Sequence, residues 1–239
     1  MAFQNATSRP VAGASVATRN DFLKRVYGWM AFGVALSAAG SFLAVKAGIG
    51  MWMATSGWVG SLLMTAGWMG LAWVAQSVRH TAGVNTIAFA AYGLFTGVVM
   101  SGLIQVALIM GDMLTGSSMT YVGQAFGITA VAFGALSFYA ATTKRDFSFM
   151  GGMLTVGLIA LIALGLINLF IQSSMFALIL SFAGVMLFTG FILFDTQQIV
   201  RHYPENEHLA GALVLFTNFA IMFMKILSIL LQLAGGNRK

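Results

Sequence analysis

The chain has 239 residues, 59% of them hydrophobic and only 8% charged, with a mean hydropathy of +0.89. A soluble domain carries about 25% charged residues, so this composition excludes a water-soluble globule and describes a protein that crosses a membrane repeatedly. The net charge of +6 sits in short loops, where it sets orientation and argues against nucleic-acid binding; the absence of cysteine excludes disulfide and thiol chemistry.

In chain order, residues 1–24 lack the apolar core of a cleavable signal peptide and read as a polar cytoplasmic tail. Residues 25–234 form the transmembrane domain, and residues 235–239 a short polar C-terminal tail. Crossing the hydrocarbon core takes about 20 apolar residues. Seven runs qualify, near Val26–Val45, Gly57–Val78, Val84–Ile109, Met119–Thr142, Phe149–Ile171, Met175–Phe194 and Leu209–Leu233. The two prolines, Pro10 and Pro204, fall outside them. Small residues recur every four positions in the third run (Gly93, Gly97, Ser101) and the fourth (Gly123, Gly127), a spacing that lets helix backbones approach closely.

The basic residues alternate between loops. Arg9, Arg19, Lys24 and Arg25 lie in the tail, and Arg79, Lys144, Arg145 and Arg201 follow the second, fourth and sixth runs. The other loops hold little but Lys46 and Asp112. This asymmetry places the N-terminus in the cytoplasm. Seven crossings then put Arg238 and Lys239 outside, which strains the rule; a seventh run that failed to cross would leave them cytoplasmic.

Ionisable groups at membrane depth are costly and point to function. In "FILFDTQQIVRHY", Phe191 to Tyr203, the acid Asp195 closes an apolar run and two amides follow, Gln197 and Gln198. Asn218 and Lys225 lie in the seventh run on roughly one helical face. Asp195, Asn218 and Arg79 could meet at the cytoplasmic side, where a partly dehydrated carboxylate needs a partner. The alternative is an interfacial Asp195 that reaches for the headgroups and merely marks a helix end, and Lys225 could snorkel in the same way. Glu205, Asn206, Glu207 and His208 lack a zinc spacing and read as a solvated loop. His80 and His202 have no nucleophile beside them, so no enzyme and no resident cofactor is indicated.

Four stretches carry a further signal: "RVYGWM" (Arg25 to Met30), "TTKRDFSFMGGML" (Thr142 to Leu154), "LFDTQQIV" (Leu193 to Val200) and "ALVLFTNFAIMF" (Ala212 to Phe223). With the seven-run layout, they resemble the Bax inhibitor-1 family, also called transmembrane Bax inhibitor motif proteins, in its bacterial, YccA-like branch. The resemblance implies an all-α membrane protein with seven transmembrane helices, six surrounding a central C-terminal seventh. It also implies a pH-sensitive calcium leak, gated by an acid at the position of Asp195 with a second acid in the seventh helix. The family's latching arginine falls on Arg79.

One departure matters. "LFTNF" places Asn218 where the second acid is expected, and an amide cannot ionise. Two acids in one site split their titration, so Asp195 beside Asn218 is a single-proton site. Asp195 with Asn218 would hold Ca2+ only weakly and transiently. The resemblance therefore leaves three readings: a calcium or other cation leak of the bacterial inner membrane, with Ca2+ as the ion and protons as the gating ligand; a non-transporting regulator whose polar tail binds a membrane-anchored AAA-type protease; or a stress-response membrane protein whose motif residues only maintain the fold.

Overall fold

The computed structural model describes residues 10–81 and 83–236, Val16 by its backbone alone; Arg9, Arg238 and Lys239 lie outside them. After a short 3-10 turn, Val11–Gly13, eight α-helices follow: α1 (Val16–Lys46), α2 (Ile49–Thr55), α3 (Gly57–Ser77), α4 (Val84–Thr115), α5 (Thr120–Thr142), α6 (Met150–Ile171), α7 (Ser174–His202) and α8 (His208–Gly236). All but α2 are long and apolar enough to cross a membrane. Among the described residues there is no strand, only an isolated bridge between Pro10 and Pro204.

Two helices outrun the apolar runs that announce them. The first begins at Val16, within the stretch expected to be tail, because the Ser15 hydroxyl accepts the Thr18 N–H at 3.2 Å and caps it. Phe22 and Val26, four residues apart, then bury the same face. Residues 16–24 are therefore helical, and Val11 is fully buried, its N–H bonded to the Tyr203 carbonyl at 3.0 Å. At the other end of the bundle's connectivity, α7 continues past Phe194 to His202, so Asp195 sits inside a helix, two turns before its end.

The centre is α8. Over half of its apolar stretch (56%) is buried, against 6% in α6 and 11% in α3. It is flanked directly by α1, α4, α5 and α7, while α3 packs on α4 and α6 on α7 to complete the surround. The two small-residue stripes behave differently. A methyl group at Gly97 would run into the Ser37 carbonyl oxygen, and one at Gly93 would meet Leu36 at 3.3 Å, so the third-run stripe is the seat of α1 on α4. Gly123 and Gly127 face open space, with nothing within 4 Å of a would-be Cβ. The tight pairing expected for them is absent because, among the described residues, no helix comes into contact with that face; Gly123 lines an open cavity with α1 on its far side.

Candidate functional site

Helices α7 and α8 run antiparallel, joined by a short turn after Tyr203. This arrangement brings Asp195 opposite Asn218. The Asn218 amide nitrogen donates to the Asp195 carboxylate at 2.7 Å, and Asn218 is only 5% exposed. A carboxylate removed from water requires such a donor. Asp195 is thus a partnered group between two helices, and the reading of it as a headgroup-seeking helix end does not hold.

The same interface is polar at intervals further along. The methylenes of Lys225 lie over Gly184, where a Cβ would come within 3.0 Å of them. Beyond Lys225, the Ser181 and Ser228 hydroxyls are 3.2 Å apart, and the Gln232 amide donates to Ser228 Oγ at 2.9 Å. Asn218, Lys225 and Gln232 repeat every seven residues, one stripe of α8. No acid pairs with Lys225 among the described residues.

Arg79 does not join the pair. It lies just beyond α3, exposed, with Nε donating to His80 Nε2 at 3.0 Å. His80 Nδ1 in turn approaches Glu207 Oε1 at 3.4 Å. Glu207 retains only 14% side-chain exposure, so this part of the loop read as solvated is a tie between the end of α3 and the α7–α8 turn. Among the described residues Arg79 makes no ion pair with Asp195. The residue that feels both is Tyr203, at the end of α7. Burial first, and the neighbouring Asp195 second, raise its phenol above the ordinary value of 10, with Arg79 acting the opposite way. Tyr203 accordingly stays a neutral hydroxyl at physiological pH.

The "TTKRDFSFMGGML" and "LFDTQQIV" stretches form one structural unit. Gln197, 3% exposed, donates from Nε2 to the Arg145 carbonyl at 2.7 Å and accepts the Phe147 N–H at 2.6 Å. Arg201 donates to the same Arg145 carbonyl at 3.0 Å and reaches Asp146 at 3.4 Å. Asp146 accepts from the Ser148 N–H and hydroxyl, both at 3.0 Å. Those bonds, with a smaller contribution from Arg201, hold its carboxyl below the ordinary carboxylate value. The α5–α6 loop is thereby pinned to the last two turns of α7, beside Asp195.

Sequence reasoning missed a second buried polar thread. The Tyr92 and Thr217 hydroxyls meet at 2.9 Å, next in sequence to Asn218, and the Trp68 indole donates to Thr96 at 2.9 Å. Tyr92 is fully buried. Its signal was a hydroxyl-bearing ring within the apolar run of α4, where a buried Tyr must find a partner.

A family model described as "Inhibitor of apoptosis-promoting Bax1" matches residues 19–235, nearly the whole chain. The chain belongs to the Bax inhibitor-1 family. Similar proteins include inner membrane protein YbhL of Escherichia coli, 29% identical across 91% of this chain and 92% of its own length. An uncharacterized protein of Deinococcus radiodurans is 32% identical over 87% of this chain and 89% of its own. A Campylobacter jejuni protein is 39% identical over 57% of this chain and 59% of its own. Against the first three relatives matched, the aligned chain spans 59%, 48% and 59% of their length. This Bax inhibitor-1 chain is thus an integral, multi-pass membrane protein, with its seven apolar helices and inner-membrane relatives in agreement.

Proposed function

We propose that this Bax inhibitor-1 member is a cation leak of the bacterial inner membrane, calcium being the ion its groups best suit, with the Asp195–Asn218 pair as gate. The observation that carries the reading is the 2.7 Å contact between a carboxylate and an amide that joins α7 to the central helix, α8. It joins α7 to α8 when made and frees a carboxylate oxygen when broken. One carboxylate and one amide oxygen bind Ca2+ weakly, and weak binding suits conduction because the ion must leave again. In the state described, Asn218 donates its nitrogen, so offering its oxygen to an ion requires the amide to turn. The basic ends of α3, α5 and α7 share one face of the bundle, and the positive-inside bias makes that face, and the N-terminus, cytoplasmic. Arg79 as latch belongs to a different state from this one, in which it would exchange His80 for Asp195.

The test is calcium entry into dye-loaded liposomes by the purified full chain, compared with Asp195→Asn. The expected result is flux that varies with pH in the native chain and loses that variation in the variant. No flux in the native chain at any pH between about 6 and 8 ends the proposal.

A second reading, a non-transporting regulator that binds a membrane-anchored AAA-type protease, is favoured by Lys225. A cation on the same stripe of α8 as Asn218, without an acid partner among the described residues, opposes the passage of another cation. Lys225→Met separates the two readings: a leak conducts faster without the lysine, whereas a regulator stays silent in both forms. Because Val11 is tied to Tyr203, the tail available to a partner is best tested by deleting residues 1–9, leaving that tie in place.

A further inference from the structure

Helices α1 and α5 both pack on α8 but stand apart from each other, leaving a groove whose floor includes Phe219. Towards the basic end it holds a cavity of about 810 Å³, running along α1 from Arg19 to Ala38. A second cavity of about 480 Å³ continues it toward the opposite face and shares Ala38, Phe126 and Phe219. Gly134, in the α5 wall, has nothing within 4 Å of its Cβ position.

Chemistry changes along the groove in one direction. Its mouth at the basic end is lined by Arg19, Asn20 and Thr142. The Nε of Arg19 is buried and has no hydrogen-bond partner among the described residues. Lys144 and Arg145 follow Thr142 after one intervening residue, both exposed. The nearby acids are occupied elsewhere: Asp21 pairs with Lys24 at 3.7 Å, and Asp146 with Arg201. Below the mouth the walls turn apolar. From Leu23 to Ala38 α1 rises by about 22 Å at 1.5 Å per residue, against about 15 Å for one leaflet's share of a 30 Å hydrocarbon core.

We propose that this groove is a binding site for a single phospholipid, its phosphate held at Arg19 and one acyl chain lying between α1 and α5 on Phe219. A phospholipid presents an anion and then an apolar chain in the order that the groove offers, and the groove is deep enough to take one leaflet's chain. A partner helix would fill the apolar part but bring no anion to the Arg19 guanidinium at the mouth. Basic pockets between membrane helices are suited to anionic headgroups, so the site favours phosphatidylglycerol over a zwitterionic lipid. This proposal is independent of conduction and of any protease.

Native mass spectrometry of the full chain in mild detergent tests it, followed by addition of phosphatidylglycerol or phosphatidylethanolamine to the delipidated protein. The expected result is one retained phospholipid per chain and an upward melting shift with phosphatidylglycerol. Gly134→Leu, which fills the groove from α5, and Ala38→Leu, which fills it from α1, should each abolish retention. Arg19→Gln should keep the chain folded and lose the preference between headgroups. Gly70→Leu, on an open face of α3 away from the groove, should retain lipid like the native chain. Circular dichroism confirms that each variant is helical. A lipid-free native chain overturns the proposal, as does equal retention in both groove-filling variants, equal loss in Gly70→Leu, an unchanged headgroup preference in Arg19→Gln, or a polypeptide in place of the lipid.

Discussion

Replacing Gly97 by alanine tests what holds the two most closely packed helices together. The added methyl would strike the Ser37 carbonyl oxygen and stand 2.6 Å from the Ser41 nitrogen, where ordinary contact begins at 3.4 Å. Both obstacles are backbone, so no rotamer change relieves them and α1 must withdraw by about 0.8 Å or more along the contact. Over-packing of this kind costs about 1–3 kcal/mol; at about 2 kcal/mol the folded-to-unfolded ratio drops roughly 30-fold. Gly127→Ala is the matched control, since nothing lies within 4 Å of its methyl. Its effect should stay within about 0.5 kcal/mol of zero, as for an open surface position. Unfolding in mixed micelles, followed by helicity as denaturing detergent is added, measures both. If the two variants unfold within about 0.5 kcal/mol of each other, the assignment of Gly97 to a backbone contact is wrong.

Asn218→Asp places two carboxylates where one hydrogen bond now joins an acid and an amide, so the pair must share a proton and titrate in coupled steps. Calcium flux in liposomes should become more steeply pH-dependent than in the native chain; an unchanged profile would contradict the single-proton reading of Asp195. Gln197→Ala strips the Phe147 N–H and the Arg145 carbonyl of their partner, at a cost of about 1–3 kcal/mol for each group left unsatisfied. The α5–α6 loop should loosen, and trypsin should cut after Lys144 and Arg145 faster than in the native protein; equal cleavage rates would show that Gln197 does not pin the loop. The folded-state pKa of Asp146 is depressed by its Ser148 bonds, so its contribution is present above the ordinary carboxylate value and lost as pH falls through the lower folded value. Loop protection should therefore be flat from about pH 6 to 8, and Asp146→Asn should leave the pH profile of any flux unchanged; a shifted profile would place Asp146 in the gate.

Long apolar runs made the helices legible, since a segment without charge or proline has little alternative in a membrane. Their ends were less so. Thr18 and Asn20 look like tail residues, and the continuation of α1 through them rests on the Ser15 cap and on Phe22 and Val26 finding a buried face. Asp195 reads as a terminator because charge usually ends a membrane run; yet Gln197, Ile199 and Val200 beyond it are buried too, and their spacing keeps helical period. The pairing of Asp195 with Asn218 was foreseeable from polarity and antiparallel order. Where Arg79 points was not, because a flexible side chain beyond a helix end takes whichever acceptor lies within reach, here His80. The two glycine stripes are indistinguishable as sequence. Spacing shows that a face is small and is silent on whether a helix or a lipid lies against it.

The tie between Val11 and Tyr203 brings the segment before α1 to the end of α7. Its N–H bond to the Tyr203 carbonyl and the neighbouring bridge of Pro10 to Pro204 fasten the first described residues to the point where α7 ends. From there about two helical turns lead back to Asp195, so the segment held by Val11 and the Asp195–Asn218 contact share one end of α7.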